Sequence, residues 1–246
     1  MGLHVTRLTF VSCVNRPEVA HRCLLASPCL HPRQGHQLIL ASHMASAGQG
    51  ALWGARLARH NWMVLLHQDV YLPAGWDTSF LGSLAVAEQA FPGVAVAGVY
   101  GVRADQAHVG HVYDRDRWLG KESLLPEKVR SLDELLLVVR LDAGLLPDPE
   151  LGWHLYGTDL CLQAEARGLP AVVLDAPCEH RASLMREPDG NNAGHVVAMR
   201  PVVDAFNASV RRLTTMWPQA MPVTTTVATV YDGFQYALPV AAGAEP

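Results

Sequence analysis

The chain reads as an α/β protein built on a mostly parallel, doubly wound sheet flanked by helices. Three observations predict this. Short apolar runs rich in β-branched residues recur through the first 174 residues, and helix-prone segments stand between them. Half of the 246 residues are apolar and 17% are charged, which suffices for one large core. Strands that alternate with helices are joined by crossovers, so neighbouring strands run parallel.

The elements follow in order. Leu8–Val14 (LTFVSCV) is short and apolar, as a buried strand should be, and Pro17 can open a helix at its first turn. A second strand covers 37–41, followed by a Gly-rich stretch over 42–50 and a helix over 51–59. Trp62–Leu66 (WMVLL) is a third buried strand that runs directly into His67-Gln68-Asp69. A helix is expected over 77–90, with Asp77 or Thr78 capping its first turn. Strand 94–100 comes next, then an irregular segment over 101–129, then a strand over 135–139. A helix over 158–167 stops before Gly168. A short strand at 171–174, a turn at 189–192 and a terminal helix over 197–213 complete the order. One catalytic domain is expected over 1–213, with an extension over 214–246 whose last ten residues fray.

Bulk properties narrow the function. A formal net charge of −4 argues against a general electrostatic grip on nucleic acid. The five cysteines include no Cys-x-x-Cys pair, and Cys13 and Cys161 sit in apolar stretches as buried thiols would. The first residues lack a basic region followed by an apolar one, and no apolar run approaches the ~20 residues of a membrane span. A cytoplasmic protein is expected.

In an open α/β sheet, ligands bind beyond the carboxyl ends of the strands. Three such ends carry chemistry. The third strand terminates in His67-x-Asp69, where two side chains two residues apart share one side of the chain. A carboxylate there can hold a divalent cation that neutralises a diphosphate, although Asp69 could equally cap the turn before Pro73. Asp159 falls in the first turn of a helix, a place that capping and the helix dipole favour on their own. His180 follows a strand and a Pro turn, where an imidazole could complete a metal site.

Taken together, these segments resemble the family-2 type of glycosyltransferase with the GT-A fold, in its bacterial glycosyltransferase-like branch. The matching pieces are FVSCVNR at Phe10–Arg16, LLHQDVYLPAGW at Leu65–Trp76, SLDELLLVVR at Ser131–Arg140, HLYGTDLCLQA at His154–Ala164 and the strand-then-His at Ala171–His180. The resemblance runs from about Leu8 to His180. It implies a metal-assisted, inverting transfer of a sugar from a nucleotide-diphosphate donor to an acceptor hydroxyl. Asp69 would match the last acid of the family's metal motif, with Mn2+ or Mg2+ as the ion and His67 where the first acid would be. His180 would ligate the same metal, and Asp159 would deprotonate the acceptor. Val14 and Asn15 would hold the base and ribose, Ser42 or His43 would stand in for a base-contacting acid, and Asp133 would lie near the transferred sugar. Thr158 replaces the usual Glu before the base. Trp118 could stack on an acceptor sugar, and Tyr113, Asp114 and Asp116 could belong to a lid over the donor. A domain that binds a sugar nucleotide or a partner without turnover is the alternative. A nucleotidyltransferase fits less well, since residues 10–19 hold no glycine for a phosphate loop.

Overall fold

The computed structural model describes residues 6–114, 117–120, 124–182 and 192–236, with backbone alone for 192–200. Asp116, residues 189–191 of the turn expected at 189–192 and the tail from 237 lie outside the described residues, and Asn192 opens the last helix. The elements run β1 (Leu8–Val14), α1 (Pro17–Arg22), β2 (Gln37–Ser42), α2 (Ala47–Leu57), β3 (Trp62–Leu66), β4 (Val70–Tyr71) and α3 (Trp76–Ala90). Then come β5 (Val96–Gly98), β6 (Tyr100–Val102), β7 (His108–Asp114), β8 (Arg117–Gly120), β9 (Glu127–Lys128), β10 (Ser131–Leu132) and β11 (Leu136–Arg140). The chain continues through α4 (Tyr156–Ala166), β12 (Ala171–Val173), β13 (Glu179–His180), α5 (Asn192–Met216), β14 (Val223–Thr224) and β15 (Thr229–Val230).

The central sheet has the order β2-β1-β3-β11-β5-β12-β9. β1 pairs parallel with β2 and β3, and β5 pairs parallel with β12, while β11 runs antiparallel to both β3 and β5. Every strand but β11 and β9 therefore points one way, as expected. Side chains alternate across it. Val64, Leu66, Leu136 and Val138 face α3 through Phe80 and Leu84. Met63, Leu65, Leu137 and Val139 face α4 through Leu160 and, further on, Val210 and Leu213 of α5. Apolar side chains on both faces need helices on both faces, and this is what makes the sheet doubly wound. Val223 and Val230 of the β14–β15 hairpin are buried in that second cluster, so the chain beyond 213 packs into the same core.

Four local expectations need correction. The segment read as irregular over 101–129 contributes β6, β7 and β8 to a second sheet of order β10-β6-β7-β13-β4. Its polar, aromatic sequence hides strands whose one face is solvated. Strand 94–100 is broken at Val99, where the chain passes from the first sheet to the second. The helix read over 51–59 begins at Ala47, because the Ser46 hydroxyl caps it by accepting from Gln49 N at 3.1 Å. Its glycines are there for space: a Cβ on Gly48 would stand 2.6 Å from Pro149 Cα. Asp77 does not cap α3, whose N-cap is Gly75; its carboxylate pairs instead with His36 Nε2 at 3.0 Å.

Candidate active site

The carboxyl ends of β1, β2 and β3 open into a cavity of about 650 Å3. Val14, Asn15, Ser42, His43, His67 and Asp69 all line it, so the residues expected to hold a nucleotide share one space. Trp153 and Tyr156, from the approach to α4, form its other wall. Gln68 ties the β1 end to the β3 end: its Oε1 accepts from Asn15 N at 3.1 Å and from Arg16 N at 2.9 Å. His43 is held at φ 60°, a left-handed conformation that a non-glycine residue adopts at a cost.

His67 and Asp69 do not sit on an extended strand. Val70 N bonds His67 O at 3.2 Å, so β3 ends in a tight turn, yet both side chains still reach one point. There they meet His180, which β13 brings across by pairing antiparallel with β4 at Val70. One ligand atom from each of His67, Asp69 and His180 lies within 4.8 Å of the others.

His67 is oriented from behind, and His180 lies between two carboxylates. Tyr156 donates its hydroxyl proton to the Glu134 carbonyl at 3.2 Å, so its oxygen accepts from His67 Nε2, 3.1 Å away. That leaves Nδ1 of His67 with a free lone pair. His180 places Nδ1 3.0 Å from Asp114 Oδ1 and Nε2 3.4 Å from Asp69 Oδ2. Ligating histidines are held as His67 is, with the second nitrogen donating to a carboxylate or oxygen acceptor. Two imidazoles and a carboxylate, with the His67 ring pinned, fit a divalent cation.

Two of the three groups are in the state a cation requires. Burial and the neighbouring His180 charge hold the His67 imidazole below its ordinary range, against the pull of Asp69 and Asp133. Burial pushes the Asp69 carboxyl up, but hydrogen bonding and charge from His180 outweigh it, and the net displacement is down. For His180, burial lowers and the Asp69 bond and charge raise; the balance is upward, so an ion bound there must displace a proton from this ring.

Asp133 is half-buried on the approach to β11 and exerts its charge on both His67 and His180, although it does not line the cavity. Asp159 lies elsewhere. It is 1% exposed, outside the cavity lining, and its carboxylate accepts from Asp148 N at 3.0 Å, Gln163 Nε2 at 2.8 Å and Trp217 Nε1 at 2.9 Å. Burial raises its carboxyl above the ordinary range. Trp118 is well exposed on β8, where its ring lies 5.5 Å from Tyr113.

Sequence reasoning missed Tyr156, Glu134 and Gln68 as parts of the site, and placed Asp114 only in a lid. Glu134 lies in the turn before β11 and reaches the start of α4, where its Oε1 accepts from Gly157 N at 3.4 Å. Burial, with the Asp133 charge beside it, pushes its carboxyl up to about 8 from an ordinary value of 4.5. The unfolded chain therefore releases this proton at lower pH than the folded one. Stability from this group is greatest below 4.5 and falls as the pH rises toward about 8, by about 1–2 kcal/mol after solvent screening. Glu134→Gln keeps an acceptor for Gly157 and should flatten that fall, as read by urea unfolding across the same range. An unchanged pH slope in the variant would exclude Glu134 as its source.

No family model matches the chain. Among curated proteins, it is 35% identical over 130 residues to "ATP synthase subunits region ORF 6" of Fuscovulum blasticum, a match covering 48% of this chain and 51% of that protein. The match thus spans about half the length of that relative. Among solved structures, the chain overlaps GalNAc-T7 bound to UDP, GalNAc and Mn2+ at 11% identity and TM-score 0.49, over 73% of this chain and 44% of that one. It also overlaps the mannosyltransferase PcManGT from Pyrobaculum calidifontis, in complex with GDP-Man and Mn2+, at 12% identity and TM-score 0.46, over 88% of this chain and 76% of that one. At TM-scores under 0.5, neither overlap by itself assigns this chain to their family. Among the described residues, no helix is long and apolar enough to cross a membrane.

Proposed function

We propose that the chain is a GT-A-type glycosyltransferase that moves a sugar from a nucleoside-diphosphate donor to an acceptor hydroxyl, assisted by a divalent cation. The observation that carries this reading is the convergence of His67, Asp69 and His180 within 4.8 Å at the edge of a cavity lined by the carboxyl ends of three parallel strands. In this reading Asn15, Val14, Ser42 and His43 receive the nucleoside, and His67, Asp69 and His180 hold the ion near the diphosphate. The ion, when bound, supplies positive charge against the charge that develops on the leaving diphosphate. Two imidazoles with one carboxylate suit Mn2+ better than Mg2+, which prefers oxygen ligands throughout.

The proton acceptor is best assigned to Asp133, whose half-buried carboxylate acts on the cation cluster. Asp159 is enclosed by three donors, and we assign it to holding α4 against the segment after α5. A base within hydrogen-bond reach of the acceptor is worth about 10²–10⁴-fold in rate. A single inverting displacement is consistent with one such base.

The test is donor turnover by the full chain across nucleoside-diphosphate sugars, with Mn2+, with Mg2+ and with chelator. Release of nucleoside diphosphate should need the cation and be faster with Mn2+. Donor binding without turnover under every condition would replace the enzyme reading with the binding-module reading; no binding at all would overturn both.

A further inference from the structure

We propose that Gln68 is a positioning residue for the nucleoside: it sets the Asn15 amide so that its N–H groups are offered to the ligand, and the ligand atom met there is a hydrogen-bond acceptor. The inference rests on the nucleotide reading given above and deepens it, naming the polarity that the end of β1 demands of its ligand. Gln68 is 7% exposed and, like Asn15, lines the cavity. Its Oε1 accepts from two successive backbone N–H groups, Asn15 N at 3.1 Å and Arg16 N at 2.9 Å. Its Nε2 donates to Asn15 Oδ1.

Only an oxygen can accept from two N–H donors, so the two backbone contacts settle which end of the Gln68 amide is which. The other end is then a donor, and the Asn15 atom it meets must be an oxygen. This settles the Asn15 amide in turn: Oδ1 is engaged by Gln68, and Nδ2, with its two donors, is left for the cavity. The peptide planes on both sides of Asn15 are anchored by the same Gln68 oxygen. Neither backbone nor side chain can turn there without breaking one of three bonds. An amide free to pivot meets a donor or an acceptor equally well. One held in this way discriminates, because a ligand donor placed against Nδ2 would set donor against donor. The oxygen acceptors that a nucleoside offers are the carbonyls of its base and the hydroxyls of its ribose.

The experiment is calorimetric titration of the full chain, with Mn2+ present, against UDP, CDP, GDP, ADP and dTDP, and a separate titration with Mn2+ alone. Gln68→Ala should weaken the nucleotide that binds by about 3–10-fold, the worth of one hydrogen bond, and should weaken Mn2+ alone by less. Asn15→Ala should lose a similar amount, and Gln68→Ala added to it should cost little more, since Gln68 acts through the Asn15 amide. The 2′-deoxy and 3′-deoxy forms of that nucleotide locate the acceptor, and either location agrees with the proposal. The Gln68→Ala loss disappears with the contacted hydroxyl, and persists in both forms when a base carbonyl is contacted. Losses that simply add in the double variant would make Gln68 a backbone tie and overturn the positioning role alone, as would wild-type affinity in Gln68→Ala. An absence of nucleotide binding in the wild type overturns the nucleotide reading and this inference with it. If Gln68→Ala does not fold, the wild-type NMR spectrum decides: the Asn15 side-chain amide protons must shift when nucleotide binds, and protons that stay put sink the proposal.

Discussion

Asp159→Ala is expected to destabilise the fold by about 2–4 kcal/mol, because it removes the acceptor of three part-buried hydrogen bonds at once. Asp148 N, the Gln163 amide and the Trp217 indole all point at this carboxylate, and no water reaches a side chain 1% exposed. The loss would spread, since Asp148 also receives Arg212 of α5 at 2.6 Å. Asp159→Asn keeps one accepting oxygen but turns an amide toward one of the donors, so an intermediate loss is expected. Urea midpoints of both variants, with turnover measured well below the transition, separate the two roles. A fully stable Asp159→Ala protein with turnover down by about 10²–10⁴-fold would restore this acid as the proton acceptor.

The second large effect is expected at Asp69. Asp69→Ala removes the only carboxylate of the cation cluster and leaves two imidazoles, which bind hard cations poorly. Turnover should fall about 10²–10³-fold, comparable to the loss of one preorganised charge-stabilising group. The fold should survive, since the Asp69 backbone still accepts from Arg181 N at 2.9 Å. Binding adds a readout independent of chemistry. An ion at 100 times its dissociation constant stabilises the wild type by about 2.7 kcal/mol, and that increment should vanish in the variant. An equal Mn2+-induced rise in melting temperature in both proteins would place the ion elsewhere.

Much of this molecule was legible in its sequence, for reasons that can be stated. β1 and β3 are buried on both sides, so the run of β3 is wholly apolar and that of β1 is broken only by the small buried Thr9 and Ser12. His67 and Asp69 were singled out because polar residues directly after such a run mark the ligand-binding edge of a parallel sheet, and His180 because it follows a short strand and a Pro turn. β7 and β8 were not readable, since one solvated face dilutes the apolar signal with His111, Tyr113 and Trp118. Asp114 was hidden with them: it is set beside His180 by a strand pairing with residues 66 positions further along, which no local pattern encodes. Asp159 is the opposite case. Its motif was visible, but what encloses it is Trp217, contributed from beyond the segment on which the expectation rested.

The turn after β3 carries one further implication. His67 and Asp69 reach toward the ion while Gln68, between them, clasps the backbone at Asn15 and Arg16. Two tasks are thus interleaved along three consecutive positions, one for the metal and one for the wall of the nucleotide cavity. Such a stretch can absorb a change of side chain at one task while the other persists. It cannot absorb a change of length, because losing or gaining one residue there would exchange which side chains face which way and disable both tasks together.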